Sequence, residues 1–142
     1  MDQLKIDNQL CFPIYALAKE IVNKYRPFLA ELDLTYPQYL VMLILWESKE
    51  QTVSQLGEKL NLDSGTLTPL LKRLEQKNLI HRNRNPKDER VVQINLTNEG
   101  SSLQEKAVEI PSKMFESLAI SEEEIKNLKL NINNLLNILQ KK

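Results

Sequence analysis

One cysteine, Cys11, stands in 142 residues, so no disulfide can close within the chain and a cysteine-cluster zinc site is excluded. Glycine is almost as scarce, with three in the whole chain, while leucines recur at helical spacing throughout. That balance predicts a mainly α protein. No apolar run is long enough to span a bilayer, and the opening MDQLKIDNQL lacks a signal-peptide pattern, which predicts a cytoplasmic protein with no membrane partner. Net charge is zero, which excludes steering of the whole molecule towards nucleic acid. No Ser-His-Asp pattern, phosphate loop or dinucleotide fingerprint occurs, so neither an enzyme nor a cofactor is expected.

The charge that cancels in total is unevenly placed. Residues 72–90 carry seven Lys/Arg against three Asp/Glu; residues 1–71 carry six against nine, and residues 91–142 six against seven. A 19-residue basic footprint is a local feature of the kind that nucleic acid selects. It begins inside the stretch LDSGTLTPLLKRLEQKN, residues 62–78. Asp63 is a natural N-cap, and Ser64, Thr66 and Thr68 place small hydroxyls on the opening turns. Leu67, Leu70, Leu71 and Leu74 recur at helical spacing and mark a buried face. Lys72, Arg73 and Lys77 follow. Short hydroxyls near a helix N-terminus can approach bases and phosphates closely, and the cations behind them can reach phosphates.

Taken in order, residues 9–32 read as a long helix with Leu10, Ile14, Leu17, Ile21, Phe28 and Leu32 on one seam. Pro13 belongs near its start, and Pro27 is expected to kink or end it. Thr35 and Pro37 open a second helix, apolar on most sides and so central to the core. Thr52 with Gln55 makes a capping box for a short third helix, Val53 to Leu60. The tight link at Leu62-Asp63 then makes a helix-turn-helix. Leu79 to Arg84 reads as a strand, Asn85 to Asp88 as a turn, and Arg90 to Leu96 as a second strand with Val92, Ile94 and Leu96 inward. A β-hairpin with a basic tip, behind a helix-turn-helix, is the pattern of a wing. Thr97 caps a fifth helix bearing Leu103, Ala107, Ile110, Met114 and Leu118, bent at Pro111. Ser121 with Glu124 boxes a last helix, where Ile125, Leu128, Ile132, Leu135 and Leu139 continue to the C-terminus. Terminal seams too long for so small a core point to dimerisation.

At this point the chain resembles a MarR-family transcriptional regulator, and most closely the organic-hydroperoxide-sensing branch in its single-cysteine form. The residues that carry the resemblance are Leu10-Cys11-Phe12, Tyr15, Tyr25, residues 34–39 (LTYPQY), residues 62–74 (LDSGTLTPLLKRL) and Asp88-Glu89-Arg90. The resemblance implies a single domain over 1–142, with a winged helix-turn-helix over 33–97 and dimerisation parts over 1–32 and 98–142. It also implies a homodimer on a pseudopalindromic promoter site in double-stranded DNA, acting as a repressor or, occasionally, as an activator. Ser64, Gly65, Thr66 and Thr68 would face the major groove, and Arg90, oriented by Asp88, would enter the minor groove. Lys72, Arg73, Arg82, Arg84 and Lys87 are phosphate candidates on position and charge alone.

A lone cysteine is usually an inert small hydrophobe. Two features make Cys11 a sensor candidate. It lies in the opening turns of a helix, where the dipole and free N–H groups favour a thiolate. Tyr15 follows one turn on, and Tyr25 shares its azimuth but lies roughly 21 Å along the axis. If two first helices cross antiparallel at Ala18, Cys11 of one chain meets the partner's Tyr25, and both phenols can donate to the thiolate. Organic hydroperoxide would oxidise Cys11 to a sulfenic acid. With no second cysteine in the chain, its next product is a mixed disulfide with a low-molecular-weight thiol, a sulfenamide or an over-oxidised acid. A regulator released by a small aromatic ligand, with Cys11 structural, is the alternative on the same fold. A thiol peroxidase would leave the basic stretch without a purpose. His81 reads as a surface residue of the wing, and Glu122-Glu123-Glu124 as helix-opening charge.

Overall fold

The computed structural model describes residues 1–141, and in them the apolar periodicity becomes seven α-helices and one small sheet. Two short 3-10 turns lead into α1 (Cys11–Ala30), followed by α2 (Tyr36–Ser48), β1 (Glu50–Thr52), α3 (Val53–Leu60) and α4 (Ser64–Gln76). The hairpin β2 (Ile80–Asn85) and β3 (Asp88–Leu96) comes next, then α5 (Asn98–Ala107), α6 (Ile110–Leu118) and α7 (Glu122–Gln140).

Side-chain caps start most of these helices. Thr35 with Gln38, Thr52 with Gln55 and Ser121 with Glu124 form reciprocal capping boxes, while Asp63 and Thr97 each accept one backbone N–H. Helix ends show what a glycine-poor chain does instead of using glycine. After α1, α3 and α4 the chain turns through Asp33, Asn61 and Asn78 at φ of 53°, 55° and 60°. Asp and Asn are the residues that tolerate the left-handed region best after glycine. The amides that follow, Leu34, Leu62 and Leu79, donate back to Leu29, Gly57 and Leu74 at 3.0–3.1 Å, closing each helix end.

Five sequence expectations are adjusted. Pro27 does not end α1, which runs on to Ala30. The sheet has a third strand: β1 pairs antiparallel with β3, placing Gln51 opposite Ile94, so the strand order is β1-β3-β2. Three residues are too few to show alternation in the sequence. The hairpin turn is shorter than expected, since Asp88 already pairs with Asn85 and only Pro86-Lys87 lie outside the ladder. The expected fifth helix is two helices, broken at Val108-Glu109, with Pro111 second in α6, where no intrahelical donor is needed. Of the inward strand residues, Ile94 is fully buried, whereas Val92 and Leu96 are partly buried.

The chain divides into two compact units, residues 1–110 and 111–142. The core of the first is built from Leu29 of α1, Val41, Met42 and Leu45 of α2, Leu56 of α3, Leu67, Leu71 and Leu74 of α4, and Ile80 and Ile94 of the sheet, each at most 1% exposed. Leu10, just before α1, and Ile14 and Leu17 within it lie open, at 73%, 48% and 52% exposure in the single chain. Along α7 of the second unit, Leu128, Ile132, Leu135 and Leu139 are exposed as well. Among the described residues no helix is long and apolar enough to cross a membrane.

Candidate nucleic-acid interface and thiol site

The helix-turn-helix is α3 and α4. Its turn is tight: a Cβ on Gly57 would sit 2.9 Å from the Leu62 carbonyl oxygen, so that position has no room for a side chain. Asp63 Oδ1 accepts the Thr66 backbone N–H at 2.7 Å, and the hydrogen bonds from Thr66 hold the Asp63 carboxyl below its ordinary range. α4 therefore begins with a fixed cap and a defined rotation. Leu67, Leu70, Leu71 and Leu74 face inward. The opposite side presents Ser64, Gly65 and Thr66, all exposed, with Thr68 half-buried beside them and Lys72 and Arg73 exposed behind. Pro69, inside α4, has no N–H, so the Gly65 carbonyl has no helical donor one turn on. This turn offers hydroxyls, a backbone carbonyl and a bare glycine surface.

On the wing, Arg90 donates through Nε to Asp88 Oδ1 at 3.1 Å and through Nη2 to Asp88 Oδ2 at 3.4 Å. The Arg90 hydrogen bonds hold the Asp88 carboxyl below its ordinary value. Lys87 sits at the tip, its amide donating to Asn85 Oδ1 at 2.9 Å, and Arg84 Nη1 donates to the Glu89 carbonyl at 2.9 Å. Arg82 is placed differently from the other phosphate candidates: its Nε and Nη2 donate to Glu75 Oε1 of α4 at 3.2 and 3.1 Å. It ties the wing to α4, through a partner that charge alone does not reveal. His81 is exposed on β2, opposite Asn95.

Cys11 is the first residue of α1 and is exposed. Tyr15, one turn on, is also exposed, and the Lys19 ammonium stands 5.2 Å from its ring centroid. Tyr25 belongs to a different environment. Its ring packs against Tyr36 at 4.7 Å and Tyr39 at 5.8 Å between centroids, and Tyr39 meets the edge of Trp46 at 6.5 Å. Trp46 Nε1 in turn donates to the Gly100 carbonyl at 2.8 Å. Burial, followed by the neighbouring Tyr36 and Tyr39, pushes the Tyr25 hydroxyl up to about 12. Tyr25 is thus a phenol that keeps its proton over the whole physiological range. Within one chain Cys11 and Tyr25 stand at opposite ends of α1, as the helical rise requires. From the sequence, Tyr36 and Tyr39 enter only as part of the run LTYPQY, and neither they nor Lys19 are assigned to the thiol site. The usable signals were the i, i+3 spacing of the two tyrosines and the i, i+4 spacing of Tyr15 and Lys19. No group of three His, Cys, Asp or Glu side chains suited to a metal occurs among the described residues.

Comparison with known proteins agrees with this geometry. The family described as transcriptional regulator SarA/Rot matches residues 18–107. The chain is 50% identical over 141 residues to the organic hydroperoxide resistance transcriptional regulator of Bacillus subtilis, covering 99% of this chain and 96% of that one. It is 44% identical over 136 residues to the HTH-type transcriptional regulator SarZ of Staphylococcus aureus, covering 96% and 90%. Among solved structures, reduced AbfR bound to DNA, a protein of Staphylococcus epidermidis, superposes with a TM-score of 0.81 at 36% identity, covering 99% of this chain and 98% of that one. By fold, by its helix-and-wing surface and by these relatives, the chain belongs to the MarR-type family of winged helix-turn-helix transcriptional regulators, in the group that includes the organic hydroperoxide resistance regulator.

Proposed function

We propose that this chain is a redox-sensing transcriptional repressor that holds promoter DNA as a homodimer and releases it when an organic hydroperoxide oxidises Cys11. The observation that carries the DNA-binding half is the opening turn of α4, where Ser64, Gly65 and Thr66 stand exposed over a buried leucine face. A helix so presented can enter a major groove, with Thr68 beside the bases and Lys72 and Arg73 near phosphates. Arg90, held by Asp88, has the chemistry of a minor-groove probe, and Arg84 and Lys87 extend the phosphate contacts along the wing. The open seams of α1 and α7 serve dimerisation, so residues 1–32 and 98–142 form the dimer part around a DNA-binding part over 33–97. The protein acts in the cytoplasm and is not an enzyme.

In the sensing half, the Cys11 thiolate attacks the terminal oxygen of the hydroperoxide. An S–O bond forms, the O–O bond breaks, and the alkoxide leaves as the alcohol after taking up a proton. A low-molecular-weight thiol then displaces water from the sulfenic acid and leaves a mixed disulfide. Before oxidation, Tyr15 and the partner subunit's Tyr25 donate to the thiolate. The raised Tyr25 hydroxyl suits this role, since it stays a donor. Oxidation adds bulk where two phenols were packed, and the half-sites lose their spacing.

The test is anisotropy on a labelled duplex from the upstream region of the protein's own gene. The arms are reduced protein, protein treated with organic hydroperoxide plus a small thiol, and Cys11→Ser under both conditions. Loss of binding in the wild type alone, reversed by reductant, is the expected result; tight binding that ignores peroxide rejects the sensor. If about three cations per subunit reach phosphate, log K falls with log salt at a slope of roughly −5. A slope near zero rejects DNA binding through these residues. A second reading, release by a small aromatic ligand, is favoured by a groove of about 430 Å³ between α1 and α2 whose walls include Val22, Arg26 and Tyr36. It predicts that Cys11→Ser leaves the response intact.

A further inference from the structure

Lys77, the residue that caps the recognition helix, turns away from the basic surface. Its ammonium donates to the backbone carbonyl of Asp33 and, at 3.1 Å, to Gln38 Oε1, while the Asp33 carboxylate lies 3.8 Å away. The Lys77 side chain is 29% exposed, whereas Lys72 and Arg73 of α4 lie open, and Gln38 is 3% exposed. The same Gln38 Oε1 also accepts the Thr35 backbone N–H at 3.0 Å, as the reciprocal arm of the α2 capping box. One oxygen therefore joins the last turn of α4 to the first turn of α2.

Two features make this junction more than a local fastening. Tyr36 and Tyr39 flank Gln38 on that same first turn, and both pack on Tyr25 of α1. Asp33, whose carbonyl Lys77 holds, is the left-handed residue that closes α1, at φ 53°. The Lys77 hydrogen bond to its carbonyl helps to hold that turn. Lys77 thus grips both the end of α1 and the start of α2, and its own backbone is the end of α4. Any shift of Tyr25 that displaces Tyr36 and Tyr39 must move Gln38. Gln38 is buried, so without Lys77 its Oε1 keeps the Thr35 N–H and loses its charged donor, which water is poorly placed to replace.

We propose that Lys77 is a positioning residue that couples the Tyr25–Tyr36–Tyr39 cluster to the recognition helix, through Gln38 and the Asp33 carbonyl. It does not touch DNA. It makes the setting of α4 depend on the state of the tyrosine cluster. The inference rests on the proposed redox response, because that response is the signal the junction relays.

The experiment measures operator affinity, reduced and hydroperoxide-treated, for the wild type, Lys77→Met, Lys77→Arg and Gln38→Glu. Lys77→Met keeps the apolar stem and removes the donor. It should bind DNA in the reduced state within about threefold of the wild type and with an unchanged salt slope, since every cation that reaches a phosphate is still in place. Its loss of affinity on oxidation should shrink by about fivefold or more, within the usual range of coupling between sites. Gln38→Glu preserves the capping box and gives Lys77 a charged acceptor, so its loss of affinity on oxidation should exceed that of the wild type; if Lys77→Met folds poorly, an unchanged loss in Gln38→Glu refutes the coupling. Lys77→Arg should restore most of the response. If the two affinities of Lys77→Met fall in parallel, or its salt slope becomes shallower by about one per subunit, Lys77 is a structural or phosphate-binding residue and the coupling is refuted. A wild type that responds while all three variants respond equally refutes it too and leaves the sensor standing. A wild type that ignores hydroperoxide overturns both.

Discussion

Arg90 and Asp88 are two residues apart on β3, and a single carboxylate oxygen, Asp88 Oδ1, receives both the Arg90 amide and the Arg90 Nε at 3.1 Å. The guanidinium is therefore aimed before any DNA arrives, although it is 91% exposed. Asp88→Asn should weaken operator binding several-fold while leaving the salt slope unchanged, because the cation is still present but no longer held. Arg90→Ala should weaken binding further and make the slope shallower by about one for each phosphate that is no longer neutralised. Equal effects of the two substitutions on the slope would contradict the orienting role. Because Arg90 holds the Asp88 carboxyl below its ordinary value, the ion pair persists down to acid pH and is lost only as pH falls through that depressed value.

Gly65 offers a clean separation of stability from function. A Cβ at this position would meet nothing closer than Asp63 Oδ1 at 3.5 Å, so the subunit itself does not require glycine there. Gly65→Ala should hold or raise stability, by up to about 1 kcal/mol, since alanine is the better helix former. Operator affinity should nevertheless fall, because the added methyl lies on the surface proposed to face the groove. Gly100→Ala is the contrast: its Cβ would fall 2.1 Å from the Leu79 carbonyl oxygen, so thermal stability should drop by more than about 2 kcal/mol. Paired melting curves and anisotropy titrations check both.

Thr97 joins the wing to α5. Its hydroxyl accepts the Gly100 N–H at 2.9 Å and donates to the Asn78 carbonyl at 2.7 Å, and the residue is 6% exposed. Thr97→Val keeps the shape, leaves the buried Gly100 N–H without its cap and takes a donor from the Asn78 carbonyl. The expected loss is about 2 kcal/mol, combining a missing cap with a lost hydrogen bond. Urea denaturation with an unchanged m-value is the check.

The tyrosine cluster should be visible in an alkaline titration. Tyr25, Tyr36 and Tyr39 are all raised above the ordinary 10.0, mainly by burial, with Tyr25 reaching about 12. An unfolded chain ionises these phenols first. The contribution of Tyr25 to stability is therefore intact below pH 10 and is lost as pH rises from 10 to about 12. Tyr25→Phe should remove the latest phenolate absorbance step and flatten the fall in stability over that interval. A titration in which the last step survives this substitution would place the raised group elsewhere.

Much of the fold was legible because it is written locally. Thr52 and Gln55 announce α3, Ser121 and Glu124 announce α7, and Asp63 announces α4, in each case through bonds spanning three residues. The leucine face of α4 needed only the 3.6-residue period, and all four expected leucines are buried. The break between α5 and α6 was half legible: Pro111 marked the place, but spacing alone did not distinguish a bend from two helices. β1 was invisible because its only reason to be a strand is β3, more than 40 residues away. The candidate site divides in the same way. The pairing of Asp88 with Arg90, two residues apart, was implied by the family resemblance, whereas the attachment of Arg82 to Glu75 and the packing of Tyr25 on Tyr36 and Tyr39 depend on how helices and sheet come together.

The sequence by itself determined where helices begin, which faces turn inward and where the positive charge gathers. Those follow from hydrogen bonds over three or four residues and from the helical period, and neither requires knowledge of a distant partner. Tertiary structure alone decided which cations stay available for DNA and which are consumed inside the protein. Lys77 and Lys72 read alike in the sequence, yet one is bound to Asp33 and Gln38, 44 and 39 residues away, and the other is exposed. Only packing brings those groups together, and the buried Gln38 oxygen, which already accepts the Thr35 N–H, then takes a second donor from the lysine that the fold places within reach.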